Sequence, residues 1–282
     1  MSLNPRVSME KRMAEVCPDA RYAGGDVKAW QEMARAELAR LVGYEGEKTS
    51  ANYRVDWVRE EEAFTETRFF YDTEPNVTGI GHILIPRTVT DKAPLIICLQ
   101  GHTTGMHIST GHARFKGDEE DISSGDRDFA RQIVARGQIA LALEQRGFGE
   151  RGGTTAIYAA ALDDRIAAAM PSCALAGFRA SIGTIRHCIC NYVPDIMNHF
   201  DMGDIVAIAA PKPYVVVNGQ FDSIFPLDSA NAQFEIAQNV YRLLGAEDKL
   251  RHVVGPEGHR FYASLGWPAL DDVTGWMKSR AD

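Results

Sequence analysis

The chain of 282 residues has no run of about 18 apolar residues, which excludes a membrane-spanning helix of ordinary length. Residues 1 to 16 scatter Arg6, Glu10, Lys11, Arg12 and Glu15 among their apolar positions. The unbroken apolar stretch of a secretion signal is therefore missing. There is no internal repeat, no Pro/Gly/Ser linker and no low-complexity tract. Basic charge is in short supply: 30 Lys and Arg against 38 Asp and Glu leave a net charge of −8. That balance argues against sequence-independent nucleic-acid binding, which needs basic surface. Cysteine is sparse and odd in number, the five being Cys17, Cys98, Cys173, Cys188 and Cys190. Such usage fits a reduced cytoplasmic protein better than a disulfide framework. Cys188-Ile189-Cys190 lacks a second Cys or His pair at zinc spacing, so no structural metal is expected there.

What remains is ordinary globular material, 45% hydrophobic and 24% charged, enough to bury a sizeable core. Val27, Trp30, Ala34, Leu38 and Leu41 recur at helical spacing before Gly43, so an amphipathic helix is expected there. Thr65 to Asp72 and Val77 to Pro86 read as strands joined by the turn signal Glu74-Pro75-Asn76. The apolar run Leu95 to Leu99 predicts a strand buried on both faces, and Ile139 to Leu143 predicts another. Asp126 to Arg136, ending at Gly137, has helical period. Ile166 to Met170, Tyr214 to Asn218 and Leu250 to Val254 read as strands. Asp228 to Leu244, stopped by Gly245, and Leu270 to Lys278 read as helices. Alternating strands and helices predict an α/β fold with a mostly parallel sheet.

Sites in such folds lie beyond the carboxyl ends of the strands. Gln100-Gly101-His102-Thr103-Thr104-Gly105 follows the Leu95 strand, a turn whose free N–H groups could face an anion. After Ile139 to Leu143, Arg146 sits among Gly147 and Gly149, as in a tight structural turn. Asp222 follows the Tyr214 strand, and His259 follows the Leu250 strand on a Gly-flanked loop. Acid then base after the last two strands is the order of α/β-hydrolases, in which the carboxylate fixes the tautomer of the imidazole.

The chain resembles α/β-hydrolases of the dienelactone-hydrolase and acetyl-xylan-esterase-like branch over roughly residues 56 to 282. Leu99 to His102 with Gly105 to His107, Gly125 to Ala130, Glu144 to Arg151, Gly152 to Thr155 with Tyr158 to Asp163, His187-Cys188 with Asn191 to Pro194, Ala210-Pro211, Phe225-Pro226 and Gly255 to Tyr262 carry the likeness. It implies a three-layer α/β-hydrolase domain (56–282) behind an N-terminal helical extension (1–55), with a helical, cap-like excursion over 171–213. Phe178, Ile182, Tyr192 and Phe200 are candidates to line a pocket there. The resemblance further implies hydrolysis of a carboxylic ester, acetyl-esterase-like, on a small acyl substrate. It implies a serine nucleophile, Asp222 as acid, His259 as base and the N–H of His102 in the oxyanion hole. Neither a cofactor nor a metal is implied, and a homo-oligomer is compatible with it.

The departure from the family lies in the nucleophile. The expected G-x-S-x-G is absent, and Arg151 runs directly into Gly152, where the family has a helix, a strand and the serine turn. Mean element lengths put that omission at about 30 residues. Either the protein has lost the segment, or the natural chain carries it and this sequence is shortened. Ser172, Cys173, Thr154 and Thr155 are the substitute nucleophiles within reach of the right sheet edge. A rival reading places metal on His102, His107 and His112 with Asp118 to Asp121, although a spacing of five suits neither helix nor strand. A non-catalytic binding protein, should the deletion be real, and an amide or peptide hydrolase are the other functions open to the sequence.

Overall fold

The computed structural model describes residues 4–43, 49–101, 103–145, 152–187 and 191–276. In chain order, the elements are α1 (Pro5–Glu15), α2 (Val27–Val42), β1 (Arg54–Glu60), β2 (Phe64–Glu74), β3 (Val77–Pro86), β4 (Leu95–Cys98), α3 (Asp118–Ser123), α4 (Phe129–Ala135) and β5 (Ile139–Leu143). They continue with α5 (Gly152–Leu162), α6 (Ile196–His199), α7 (Met202–Ile208), β6 (Tyr214–Gly219), α8 (Leu227–Leu243), β7 (Leu250–Gly255) and α9 (Ala263–Thr274). The chain divides into two compact units, Gly46–Gly153 and Met1–Glu45 with Thr154–Asp282. Among the described residues, no helix is long and apolar enough to cross a membrane.

The Gly46–Gly153 unit is built on one mixed sheet of order β1-β2-β3-β5-β4. Its first four members pair antiparallel, and β4 runs parallel to β5. The expected turn joins β2 to β3, and Asn76 takes the left-handed conformation (φ 64°) that its short polar side chain tolerates. The register sets Leu84 opposite Ala140 and His82 opposite Ala142, and these residues are buried, as are Ala130, Ile133 and Val134 of α4, which packs on this sheet. The reverse face carries Ile83, Leu141 and Ile97 in one row. Here the strand expected to be buried on both faces is not: Leu95 and Ile97 are each 46% exposed. The cause is position. β4 ends its sheet with a neighbour on one side only, so an apolar run suited to a central strand stands at an edge. β1, a mostly exposed strand, was not expected at all.

In the second unit the helix expected over Val27 to Leu41 forms as α2. Asp26 caps it by accepting from the Lys28 and Ala29 amides, and Gly43 ends it at φ 67°. Val27, Trp30, Ala34 and Leu38 enter a core shared with Ile157, Ile205, Tyr214, Val216 and Tyr241. Burial of each large side chain there contributes about 1.5–3 kcal/mol. Trp30 Nε1 donates to Ala20 O at 2.9 Å, and Gln31 Nε2 donates to Ala210 O at 2.7 Å. β6 and β7 pair in parallel, and α8 and α9 both pack on them. The strand expected at Ile166 to Met170 is reduced to isolated parallel bridges from Ala169 and Ser172 to Tyr214 and Val217. The last helix begins seven residues before the expected Leu270, at Ala263, and runs through Pro268; Lys278 lies outside the described residues. Within 171–213 the helical content is α6, α7 and turns. Phe178, Ile182 and Phe200 pack into the core rather than lining a cleft, whereas Tyr192 is exposed.

Candidate active site

β6 and β7 end side by side, and the loops beyond them are locked together. Gln220 N donates to Gly255 O at 2.8 Å and Phe221 N to Glu257 O at 2.8 Å. The approach is tight enough that a Cβ on Gly219 would lie 2.0 Å from the Gly258 carbonyl oxygen. Only glycine fits there, and this brings the two loops together. As a result Asp222 and His259, 37 residues apart, meet: Asp222 Oδ2 and His259 Nδ1 are 2.9 Å apart.

The carboxylate is fixed before it meets the ring. Asp222 Oδ1 accepts from the amides of Ile224 (2.8 Å) and Phe225 (3.0 Å). Burial on its own would raise the Asp222 pKa, but the His259 hydrogen bond and charge, with these amides, more than offset it, and the carboxyl sits below its ordinary range. The Phe225 ring stacks on His259 at 5.9 Å with an interplanar angle of 21°. The side chain of His259 is 36% exposed while that of Asp222 is fully covered. An Nδ1–H held by carboxylate leaves Nε2 as the free basic nitrogen on the accessible edge, an arrangement suited to general-base work. The Phe225-Pro226 pair belonged to the resemblance, but its stacking on the imidazole had no counterpart in the sequence reading.

The substitute nucleophiles do not complete this pair. Ser172 Oγ donates to Arg260 O at 3.4 Å. Cys173 Sγ lies beside Asp222 and contacts Arg260 O at 3.2 Å. Burial first, then the charge of Asp222, pushes its thiol up to about 12, the opposite of an activated thiol. Thr154 and Thr155 stand in the first turn of α5. Among the described residues His259 has one hydrogen-bond partner, Asp222. His102, expected at the oxyanion hole, lies outside the described residues, as does Arg151 at the junction. On either side of His102 in sequence, Glu144 Oε2 accepts from Met106 N at 3.0 Å and Gln145 Nε2 donates to Gln100 O at 2.8 Å.

The histidines of the rival metal reading turn to different carboxylates. His107 Nε2 meets Asp118 Oδ2 at 2.9 Å, with Thr104 Oγ1 also donating to Asp118. His112 Nε2 instead lies 3.7 Å from Glu66 Oε2, and Glu66 is also paired with His82 at 2.6 Å.

The fold is that of the α/β-hydrolases. The Abhydrolase family matches residues 160–251. YtaP of Bacillus subtilis (strain 168), a provisionally assigned hydrolase, is 30% identical over 129 residues, 45% of this chain and 43% of that protein. The stretch matched is thus under half the length of this curated relative. Among solved structures, a provisionally assigned acetyl xylan esterase from Bacteroides fragilis NCTC 9343 is similar at a TM-score of 0.71 and 14% identity, over 97% of this chain and 90% of its own. A glucuronoyl esterase from Solibacter usitatus is similar at 0.57 and 15%, over 95% and 97%. Acetyl xylan esterase 1 from Thermoanaerobacterium sp. JW/SL YS485 is similar at 0.52 and 13%, over 100% and 99%.

Proposed function

We propose that this protein is a carboxylic ester hydrolase of the acetyl-esterase kind, with His259 as general base and Asp222 as the carboxylate that orients it. The observation that carries the reading is the 2.9 Å contact between Asp222 and the half-exposed His259 ring on neighbouring strand ends. The structural neighbours named above are esterases, which points the same way. In the reaction, His259 Nε2 would take the proton of the attacking hydroxyl and return it to the departing alcohol. Asp222 would stabilise the imidazolium formed between those steps. The substrate is a small acyl ester, and the family resemblance assigns one oxyanion donor to the N–H of His102.

The nucleophile belongs to a segment that the natural chain carries between Arg151 and Gly152. Two features of the described residues favour this. β4 is a sheet edge with a half-exposed apolar face, and the chain from Ala169 to Ser172 touches β6 through single bridges only. Both are what loss of one central strand leaves behind. Two measurements test the reading. The native protein is expected to have an intact mass above that of 282 residues and to hydrolyse p-nitrophenyl acetate, with His259→Ala abolishing turnover. A mass equal to 282 residues with no turnover would leave the non-catalytic binding protein in its place. Turnover of peptide anilides without esters would assign an amide hydrolase.

A further inference from the structure

Beyond the ester chemistry, the end of β6 and β7 gathers a third group that the proposed reaction does not use. Cys173 Sγ, Asp222 and His259 each offer a ligand atom, and these atoms lie within 4.8 Å of one another. They arrive from three separate points of the chain: the bridge segment ending at Ser172, the β6 loop and the β7 loop. Cys173 is anchored by its backbone, its N–H donating to Val217 O at 2.7 Å, in a left-handed conformation (φ 48°). We propose that these three side chains form a binding site for a thiophilic divalent cation of the zinc class.

The donor set is thiolate, imidazole and carboxylate, which zinc accepts together, and three protein ligands with a fourth position left to water is a common zinc arrangement. Bond lengths of about 2.0–2.3 Å place tetrahedral ligand atoms about 3.3–3.8 Å apart. The ligand atoms, 2.9 Å apart for Asp222 Oδ2 and His259 Nδ1 and all within 4.8 Å of one another, bracket that spacing. The Ile224 and Phe225 amides hold Asp222 Oδ1, leaving Oδ2 as the ligand and serving as its supporting shell.

Protons balance as follows. The cation bonds to Cys173 Sγ, and the thiol proton leaves to solvent. His259 gives up its Nδ1 proton to coordinate, and the ring carries its proton on Nε2 instead. A ring protonated at Nε2 has no free nitrogen to act as base. Resting on the role proposed for His259, the loaded form would be inactive and a chelator would restore it.

Titration with Co2+ tests the site without reference to turnover. The expected result is one Co2+ per chain, with the near-ultraviolet thiolate-to-cobalt charge-transfer band, displaced by Zn2+. Cys173→Ser should abolish the band. Cys17→Ser and the double variant Cys188→Ser/Cys190→Ser should keep it. His259→Ala, at an exposed loop position, should keep the fold and weaken binding by about 100-fold or more. A band that is missing from the native protein, that survives Cys173→Ser, or that is lost in Cys188→Ser/Cys190→Ser overturns the proposal. Should Cys173→Ser not fold, an affinity unchanged in His259→Ala overturns it. Co2+ binding with no ester turnover even after the metal is stripped by chelator would sink the ester reading and leave the site standing; turnover without Co2+ binding would do the reverse.

Discussion

Two histidine–carboxylate pairs in this protein have nearly the same geometry and different surroundings. His259 meets Asp222 at 2.9 Å, and His107 meets Asp118 at 2.9 Å. In both, the carboxylate also accepts two neighbouring backbone amides: Ile224 and Phe225 for Asp222, Arg114 and Phe115 for Asp118. Both carboxyls are held below their ordinary range against the opposing pull of burial. The difference is access. The side chain of His107 is 8% exposed and spends Nε2 on Asp118, whereas His259 is 36% exposed and spends Nδ1. A hydrogen-bonded pair by itself is thus no sign of chemistry. The free nitrogen at an accessible strand end is the distinguishing feature, and it supports reading one pair as a site and the other as a buried brace.

Substitutions can break or sharpen this contrast. His259→Ala should cut ester kcat by about 10⁴-fold and cost less stability than His107→Ala, because water reaches the vacated, partly exposed position beside Asp222. His107→Ala should do the converse. Leaving Asp118 buried without its partner is expected to cost about 3 kcal/mol in urea unfolding, with turnover per folded molecule kept. Equal effects of the two changes on rate would erase the distinction.

Acid titration probes what the pairs share. Asp118 and Asp222 both have folded pKa values below the unfolded value. Their stabilisation is therefore fully present above about pH 4 and is lost as pH falls through the folded values. Unfolding followed from pH 6 downward should show stability falling below pH 4, and Asp222→Asn should flatten that slope. A slope unchanged by Asp222→Asn would mean that the carboxylate is not held by its partners.

The smallest effect concerns the open face of β4. In the 282-residue chain Ile97→Lys should change stability by less than about 0.5 kcal/mol, because the side chain is already half in water. In a chain carrying a further strand over this edge, the same change would bury a charge and cost several times more. Thermal unfolding of both forms measures the difference.

Much of the fold was legible because its signals are local. α2 and α8 have apolar stripes at helical spacing and end at Gly43 and Gly245, each with positive φ. β5, β6 and β7 are short apolar runs between turn residues. The misreadings have particular causes. β1 alternates charged and apolar residues on an exposed edge, so burial leaves no pattern to find. Gly266 and Pro268 look like helix breakers, yet α9 runs through them; the packing of Trp267 and Leu270 outweighs the lost hydrogen bond. The Leu95 run promised two-sided burial, but burial depends on which strand stands next to it, and sequence alone does not supply that neighbour. The division of the chain into compact units after Glu45 and Gly153 depends on long-range packing, which leaves no local signal. At the site, Asp222 and His259 were readable from their order after the last two strands. The nearness of Cys173 was not, because it comes from a left-handed turn at a bridge of only two residues.

In the 282-residue chain the uncovered edge of β4 is a ready template for association. A strand with one row of unpaired amides and carbonyls, flanked by Leu95 and Ile97, invites any second extended chain to pair with it. In the longer chain proposed above, a strand paired with β4 would close this edge, so the shortened and the natural chain should differ in their tendency to associate through it.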